Sequence, residues 1–176
     1  MKQVAVKSWD QEFVLTRVFD APRELVFKAW TEPRRFAQWW GPKSFTNPVC
    51  EMDLRPGGAY RVVMRSSDGA DYPLKGVYLE IVEPERLVMT IDTDEHPPEW
   101  HELLNKLRRE SGATASKRGL QVHMTVLFED QAGRTKLTIV QRFEPVTDVE
   151  ANLKMGAPEG WGGSLDRLAE HLTTKT

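Results

Sequence analysis

Between Ser44 and Phe143 the chain alternates β-branched or aromatic runs with turn signals, and one long amphipathic helix follows to cover them. A chain built this way has to bury one face of an antiparallel sheet under that helix. Ser44 to Leu54 leads into Arg55-Pro56-Gly57-Gly58, a turn in which glycine supplies positive φ. Ala59 to Arg65 sets Tyr60, Val62 and Met64 on one parity, and Ser66-Ser67-Asp68-Gly69 marks a hairpin. Leu74 to Val82, turned by Glu83-Pro84-Glu85, runs into Leu87 to Asp92. Gln121 to Phe128 and Lys136 to Phe143, joined by Glu129-Asp130-Gln131-Ala132-Gly133, complete the meander.

The covering helix begins near Gly160 and carries Trp161, Leu165, Leu168 and Leu172 at i, i+4, i+7 and i+11, with Asp166, Arg167 and Glu170 outside. Upstream, Glu12 to Phe19 reads as a half-buried strand, with Phe13 and Leu15 on one parity and Arg17 within the stretch. Asp20 is placed to cap a helix whose first turn holds Pro22 and whose inner face is Leu25, Val26, Ala29 and Trp30. A second short helix opens at Thr31-Glu32-Pro33, carries Phe36, Trp39 and Trp40, and ends at Gly41-Pro42. From Glu95 to Gly119 the strand pattern is interrupted. Pro97-Pro98 opens a helix with Trp100, Leu103, Leu104 and Leu107 on one stripe, and Ser111 to Gly119 reads as a mobile loop. The 176 residues make a single α+β domain over 1–176, with its core at about 12–173 and residues 95–119 as a helical insertion or lid.

Composition excludes several classes. No apolar run approaches the roughly 18 residues of a membrane span. Lys plus Arg is 24 against 26 for Asp plus Glu, with the cations scattered, so nucleic acid is not an expected partner. The one cysteine, Cys50, excludes an intrachain disulfide, and Met1 to Gln11 lacks the basic-then-apolar pattern of a secretory signal. A cytoplasmic location is the expectation. The unusual feature is six Trp against three Tyr, with Trp39 and Trp40 adjacent.

The run Arg17-Val-Phe-Asp-Ala-Pro-Arg-Glu-Leu-Val-Phe-Lys-Ala-Trp30-Thr-Glu-Pro33, followed by Trp39-Trp40-Gly41-Pro42, resembles the opening of the SRPBCC (START-like) superfamily. Within it the sequence is similar to the bacterial group related to the C-terminal domain of the activator of heat-shock protein 90 ATPase. The likeness continues through Asp53-Leu54-Arg55-Pro56-Gly57-Gly58, Gly76-Val77-Tyr78-Leu79-Glu80-Ile81-Val82-Glu83-Pro84-Glu85-Arg86-Leu87, Thr135-Lys136-Leu137-Thr138, Gly160-Trp161 and Ser164-Leu165-Asp166-Arg167-Leu168. The resemblance implies a helix-grip fold, a curved antiparallel sheet wrapped around a long C-terminal helix, with an apolar cavity between them. The superfamily holds lipid and sterol carriers, polyketide cyclases, stress-related plant proteins and chaperone activators, so the fold does not select a function. Eukaryotic activators carry a separate N-terminal domain, whereas only a short segment precedes the first strand here, which lowers the expectation of a chaperone partner.

Candidate chemistry is sparse. Glu80 shares nominal parity with Gly76 and Tyr78, opposite to Val77, Leu79 and Ile81. If the Tyr78 face looks into the cavity, Glu80 is a carboxylate with a raised pKa and an acid or base role. If the aliphatic face does, Glu80 is a surface charge, the favoured reading because lone strand carboxylates usually sit in water. His96 and His101 with Asp92, Asp94, Glu95 and Glu99 lack metal-ligand spacing and read as a solvated acidic helix start, so no metal and no cofactor are expected. His123 reads as structural or surface, His171 as exposed, and Cys50 as an inert buried thiol.

Phe36, Trp39, Trp40, Tyr60, Met64, Tyr78, Met89, Trp100, Trp161 and Leu165 are the candidate cavity lining. The leading expectation is non-catalytic binding of a hydrophobic or aromatic small molecule, with Pro97 to Glu110 gating the mouth. The alternatives are a cyclase, dehydratase or hydrolase using Glu80, and an interaction protein that forms a homodimer or meets a chaperone through the Trp100, Leu103, Leu107 stripe.

Overall fold

The computed structural model describes residues 12–174. The segment Met1 to Gln11, read above for a signal, lies outside them. In chain order the elements are β1 (Glu12–Phe19), α1 (Arg23–Thr31), α2 (Pro33–Trp39), β2 (Thr46–Met52), β3 (Ala59–Arg65), β4 (Asp71–Val82), β5 (Arg86–Asp92), α3 (Pro98–Glu110), β6 (Gln121–Gln131), β7 (Arg134–Phe143), α4 (Asp148–Lys154) and α5 (Ala157–Thr174).

The strands form one curved seven-stranded antiparallel sheet in the order β1-β7-β6-β5-β4-β3-β2. The meander runs from one edge inward, and β1 closes the other side by pairing with β7 in a register that opposes Thr16 to Thr138. Alternation then decides what is buried. Phe13 and Leu15 on β1, Leu137 and Ile139 on β7, Met124 and Val126 on β6, and Leu87 and Met89 on β5 all lie in the core. Leu165, Leu168 and Leu172 of α5 share that core, which gives the chain the helix-grip fold expected of it.

Particular contacts fasten the helix to the sheet. Arg17 points inward and donates to Asp166 Oδ1 at 2.8 Å, and the Lys43 ammonium stands 3.3 Å from Oδ2. Arg167 Nη1 lies 2.9–3.0 Å from the carbonyl oxygens of Trp40, Gly41 and Pro42, and Nη2 donates to Gln38 O at 3.2 Å. These are carbonyls at and beyond the end of α2, which have no partner inside that helix. Asp166 and Arg167 are therefore not on an outer face, because α5 is gripped on more than its leucine stripe. His171 is buried as well, contrary to its expected exposure.

Other elements depart from the sequence reading for local reasons. Pro22, at φ -68° and ψ 150°, is the N-cap of α1, so Asp20 does not cap it. The hairpin after β6 is tighter than its polar run suggests. Gln131 pairs with Arg134, leaving Ala132 and Gly133 at φ 54° and 87° as a two-residue turn. Helix α4 was not anticipated; it is short, and Gly156 at φ 91° separates it from α5.

The segment between β5 and β6 is a bolted element rather than a free lid. Arg108 of α3 is 1% exposed and forms a fork with Asp148 of α4, Nε to Oδ1 at 3.0 Å and Nη2 to Oδ2 at 2.9 Å. Its remaining N–H groups go to Asn105 Oδ1, Arg118 O and Gly119 O at 2.9–3.1 Å. All five guanidinium donors are thereby used, which is what makes a buried cation tolerable. The expected mobile loop is also tied down: Ser116 exchanges two bonds with Asn105, and Asp94 accepts from Gly119 N and Arg118 Nε, each at 2.7 Å. On the α3 stripe, Leu104 is fully buried, Trp100 and Leu107 pack partly into the core, and Leu103 faces solvent.

Candidate functional site

A cavity of about 210 Å³ opens where α5 leaves the sheet. Its floor is the inner face of the central strands, with Met64, Leu74, Ile91, Val122 and Gln141. Its roof is the start of α5, through Ala157, Gly160, Trp161 and Ser164, and the remaining walls are the Trp40-Gly41-Pro42 turn, Thr93, His96, Trp100, Leu120 and Asn152. No lining residue is charged.

The walls are placed by an aromatic cluster behind them. Trp30 stacks on Trp161 at 6.4 Å and meets Trp39 edge-on at 4.9 Å, and Phe36 stacks on Trp40 at 4.6 Å. Trp39 is fully buried and its Nε1 donates to Ala29 O at 2.9 Å, so the polar tip of this ring is satisfied inside the protein. Ser164 Oγ accepts the Gly41 N–H at 3.2 Å, closing the turn against α5. Of the candidate lining residues, the structure brings Trp40, Met64, Trp100 and Trp161 to the cavity. Phe36 and Trp39 stand behind it in the aromatic cluster, and Tyr78, Met89 and Leu165 lie elsewhere in the core. Tyr60 donates to Thr90 O at 2.6 Å, and its ring lies over Gly76, where a Cβ would stand 2.0 Å from Thr90 O. Only glycine fits under that ring.

His96, Gln141 and Asn152 are cavity residues that sequence reasoning missed. Gln141 had a signal, a polar residue on the inward parity between Ile139 and Phe143. Asn152 sits on the unanticipated α4, and nothing local distinguishes His96 from the acidic residues around it. His96 is not solvated: it is 8% exposed, its Nδ1 lies 3.1 Å from Pro73 O, and Tyr72 and Trp100 meet its ring edge-on at 5.2 and 4.5 Å. Burial lowers its pKa to about 4, so the imidazole is neutral at ordinary pH. A carbonyl only accepts, which fixes the proton on Nδ1 and leaves a lone pair on Nε2.

Glu80 is outside this site. The pairing of β4 with β5 shifts between Tyr78 and Glu80, making Leu79 a bulge that breaks the strand's parity. Tyr78 is consequently buried while Glu80 faces solvent and accepts from Arg86 Nε at 2.9 Å. The acid or base role considered for Glu80 ends with that orientation. Cys50 keeps its proton, its pKa raised by burial and then by the Glu51 charge to about 11.

A broader hollow of about 810 Å³ crosses the outer face of the sheet, beside Lys75, Asp92, His123 and Arg142. Three of its charges have partners, Lys75 with Glu95, Asp92 with Arg118, and Arg142 with Glu12, and the fourth, Glu144, is exposed. It is a solvated sheet face, whereas the smaller cavity is walled by aromatic rings and holds polar groups with spare hydrogen-bonding capacity. Among the described residues no cluster could hold a metal ion, and no helix is long and apolar enough to cross a membrane.

With this geometry in view, the chain matches the family described as activator of Hsp90 ATPase homolog 1-like protein over residues 20–173. The chain belongs to that family. No curated protein matches it. A solved structure from Chromobacterium violaceum is 25% identical, with 94% of this chain and 99% of that one covered and a TM-score of 0.72. One from Mycobacterium smegmatis is 21% identical over 98% and 97% of the two chains, TM-score 0.77. The AHSA1 protein from Silicibacter pomeroyi is 22% identical over 92% and 97%, TM-score 0.69. At such identities the last two likenesses are of fold. The sequence runs that carried the family resemblance meet physically here: Trp40-Gly41-Pro42 is held by Ser164 and Arg167 of α5.

Proposed function

We propose that this chain binds a compact, uncharged, largely apolar molecule of about one substituted aromatic ring in the cavity between the sheet and α5. The observation that carries this reading is the cavity itself, about 210 Å³ with indole, thioether and aliphatic walls and no charged side chain. A dry cavity of about 150 Å³ suffices for benzene, and pockets for drug-sized ligands span about 300–1,000 Å³. The volume therefore suits one ring with a substituent, and it is too small for a sterol or a long acyl chain. Binding without turnover is the reading favoured by the lining, since His96 has no carboxylate partner among the cavity residues and Glu80 is on the other side of the sheet.

Three tryptophans line the cavity, so their emission reports occupancy directly. Titration with p-cresol and p-xylene, excited at the red edge of tryptophan absorption, is expected to change the fluorescence saturably, while cholesterol and stearate leave it unchanged. Saturable binding of the sterol or the fatty acid, or of none of the single rings, overturns the reading.

A further inference from the structure

We infer that the occupant carries a hydroxyl group, which donates its hydrogen to Nε2 of His96. This inference rests on the ring-binding reading above and deepens it. The otherwise apolar wall carries a few polar atoms, some spent on the protein and some not. Thr93 and Ser164 are spent on the backbone: Thr93 Oγ1 donates to Leu120 O at 3.0 Å and accepts from Leu120 N at 2.6 Å, and Ser164 Oγ takes the Gly41 N–H. His96 is different. With Nδ1–H turned to Pro73 O, Nε2 is the one hydrogen-bonding atom it can offer the cavity, and that atom only accepts.

Gln141 points the same way. Its Nε2 lies 3.3 Å from Met124 Sδ, and a thioether sulfur only accepts, so the amide is oriented with nitrogen to sulfur and its oxygen is the second acceptor at the wall. Asn152 and Trp40 supply the complement, a buried Nδ2 and a buried Nε1 with no hydrogen-bond partner. A hydroxyl is the smallest group that serves both needs, giving its hydrogen to an acceptor and taking an N–H on its oxygen. A carboxylate could satisfy Asn152 but would bring a charge against two acceptors with no cation among the lining residues. A methyl would leave all these groups unpaired.

The test uses ligands of one shape on the full chain. p-Cresol, p-xylene and 4-fluorotoluene differ only in the group that replaces one ring hydrogen, and p-toluate carries the charge. p-Cresol is expected to bind about tenfold tighter than p-xylene or 4-fluorotoluene, even though water expels it least of the three, because only it satisfies the acceptors. On binding, the 15N resonance of His96 Nε2 is expected to move in the direction of a hydrogen-bonded lone pair, and His96→Phe should bring the three neutral affinities to within about threefold. Equal binding of p-cresol and p-xylene by the natural chain, tighter binding of p-toluate, or a p-cresol preference that survives His96→Phe overturns this inference while leaving ring binding intact. Binding of none of the rings removes the ring-binding reading and this inference with it. The ligand series on the unaltered chain decides the hydroxyl preference even if the variant fails to fold.

Discussion

Ala132 is an L-residue held at φ 54° in a two-residue turn whose other member, Gly133, stands at φ 87°. Such turns match the twist of the flanking strands, and they suit Asn or Gly at the first position, whereas alanine there costs about 1 kcal/mol. Ala132→Asn is therefore expected to stabilise the protein by ~0.5–1 kcal/mol, read as a higher urea midpoint with an unchanged m-value. His96 gives the other test at this scale. Its folded pKa of about 4 lies below the unfolded value of 6.5, so folding favours the neutral ring. The unfolded chain takes up the proton first, and stability present above pH 6.5 drains away as the pH falls toward 4, by up to ~3 kcal/mol for this group. Carboxylates titrate over part of the same window, so the informative quantity is the difference from His96→Gln. The natural chain should lose more stability than the variant between pH 6.5 and 4; parallel curves would mean that folding does not lower the pKa of His96.

Between elements, the Arg108–Asp148 fork joins α3 to α4 with both side chains essentially out of water. Removing one partner leaves a buried charge alone, so Asp148→Asn is expected to cost ~3–5 kcal/mol in chemical denaturation, with hydrogen exchange accelerated in α3 and α4. Replacing both, as Arg108→Met with Asp148→Leu, should recover most of that loss, because the desolvation of two charges disappears with their attraction. The same fork shows where sequence reading stops. Strand β1 was legible from Glu12 to Phe19 because alternation is a local signal, and α5 was legible from its leucine spacing. Arg108 and Asp148 stand 40 residues apart in the chain, and on a helix facing water either would look like solvated charge. Parity misled at Glu80 for a related reason: one inserted residue, Leu79, inverts every side chain after it, and no residue type marks a bulge there. Among cavity residues, the aromatic ones were visible as composition, while which rings face inward depended on α2, the 40–42 turn and α5 meeting in space.

At the scale of the whole molecule, the cavity lies under the start of α5, between that helix and the inner face of the sheet. Gly160 marks it. The residue sits in the first turns of α5, its nearest neighbour to a Cβ is Pro42 Cγ at 3.8 Å, and both line the cavity. Glycine inside a helix costs about 1 kcal/mol relative to alanine, and an unfilled apolar cavity costs more, so a chain selected for stability alone would place a larger residue here. Gly160→Leu is expected to raise stability by ~1–2 kcal/mol through helix propensity and filled volume. It should also abolish the fluorescence response to p-cresol. In the natural chain, p-cresol should raise the melting temperature progressively with concentration, as any ligand specific to the folded state does, whereas in Gly160→Leu the melting temperature should be higher and indifferent to p-cresol. A stabilised variant that still binds the ring would place the ligand elsewhere on the molecule, and a destabilised one would mean that the space above Gly160 is needed by the protein's own packing.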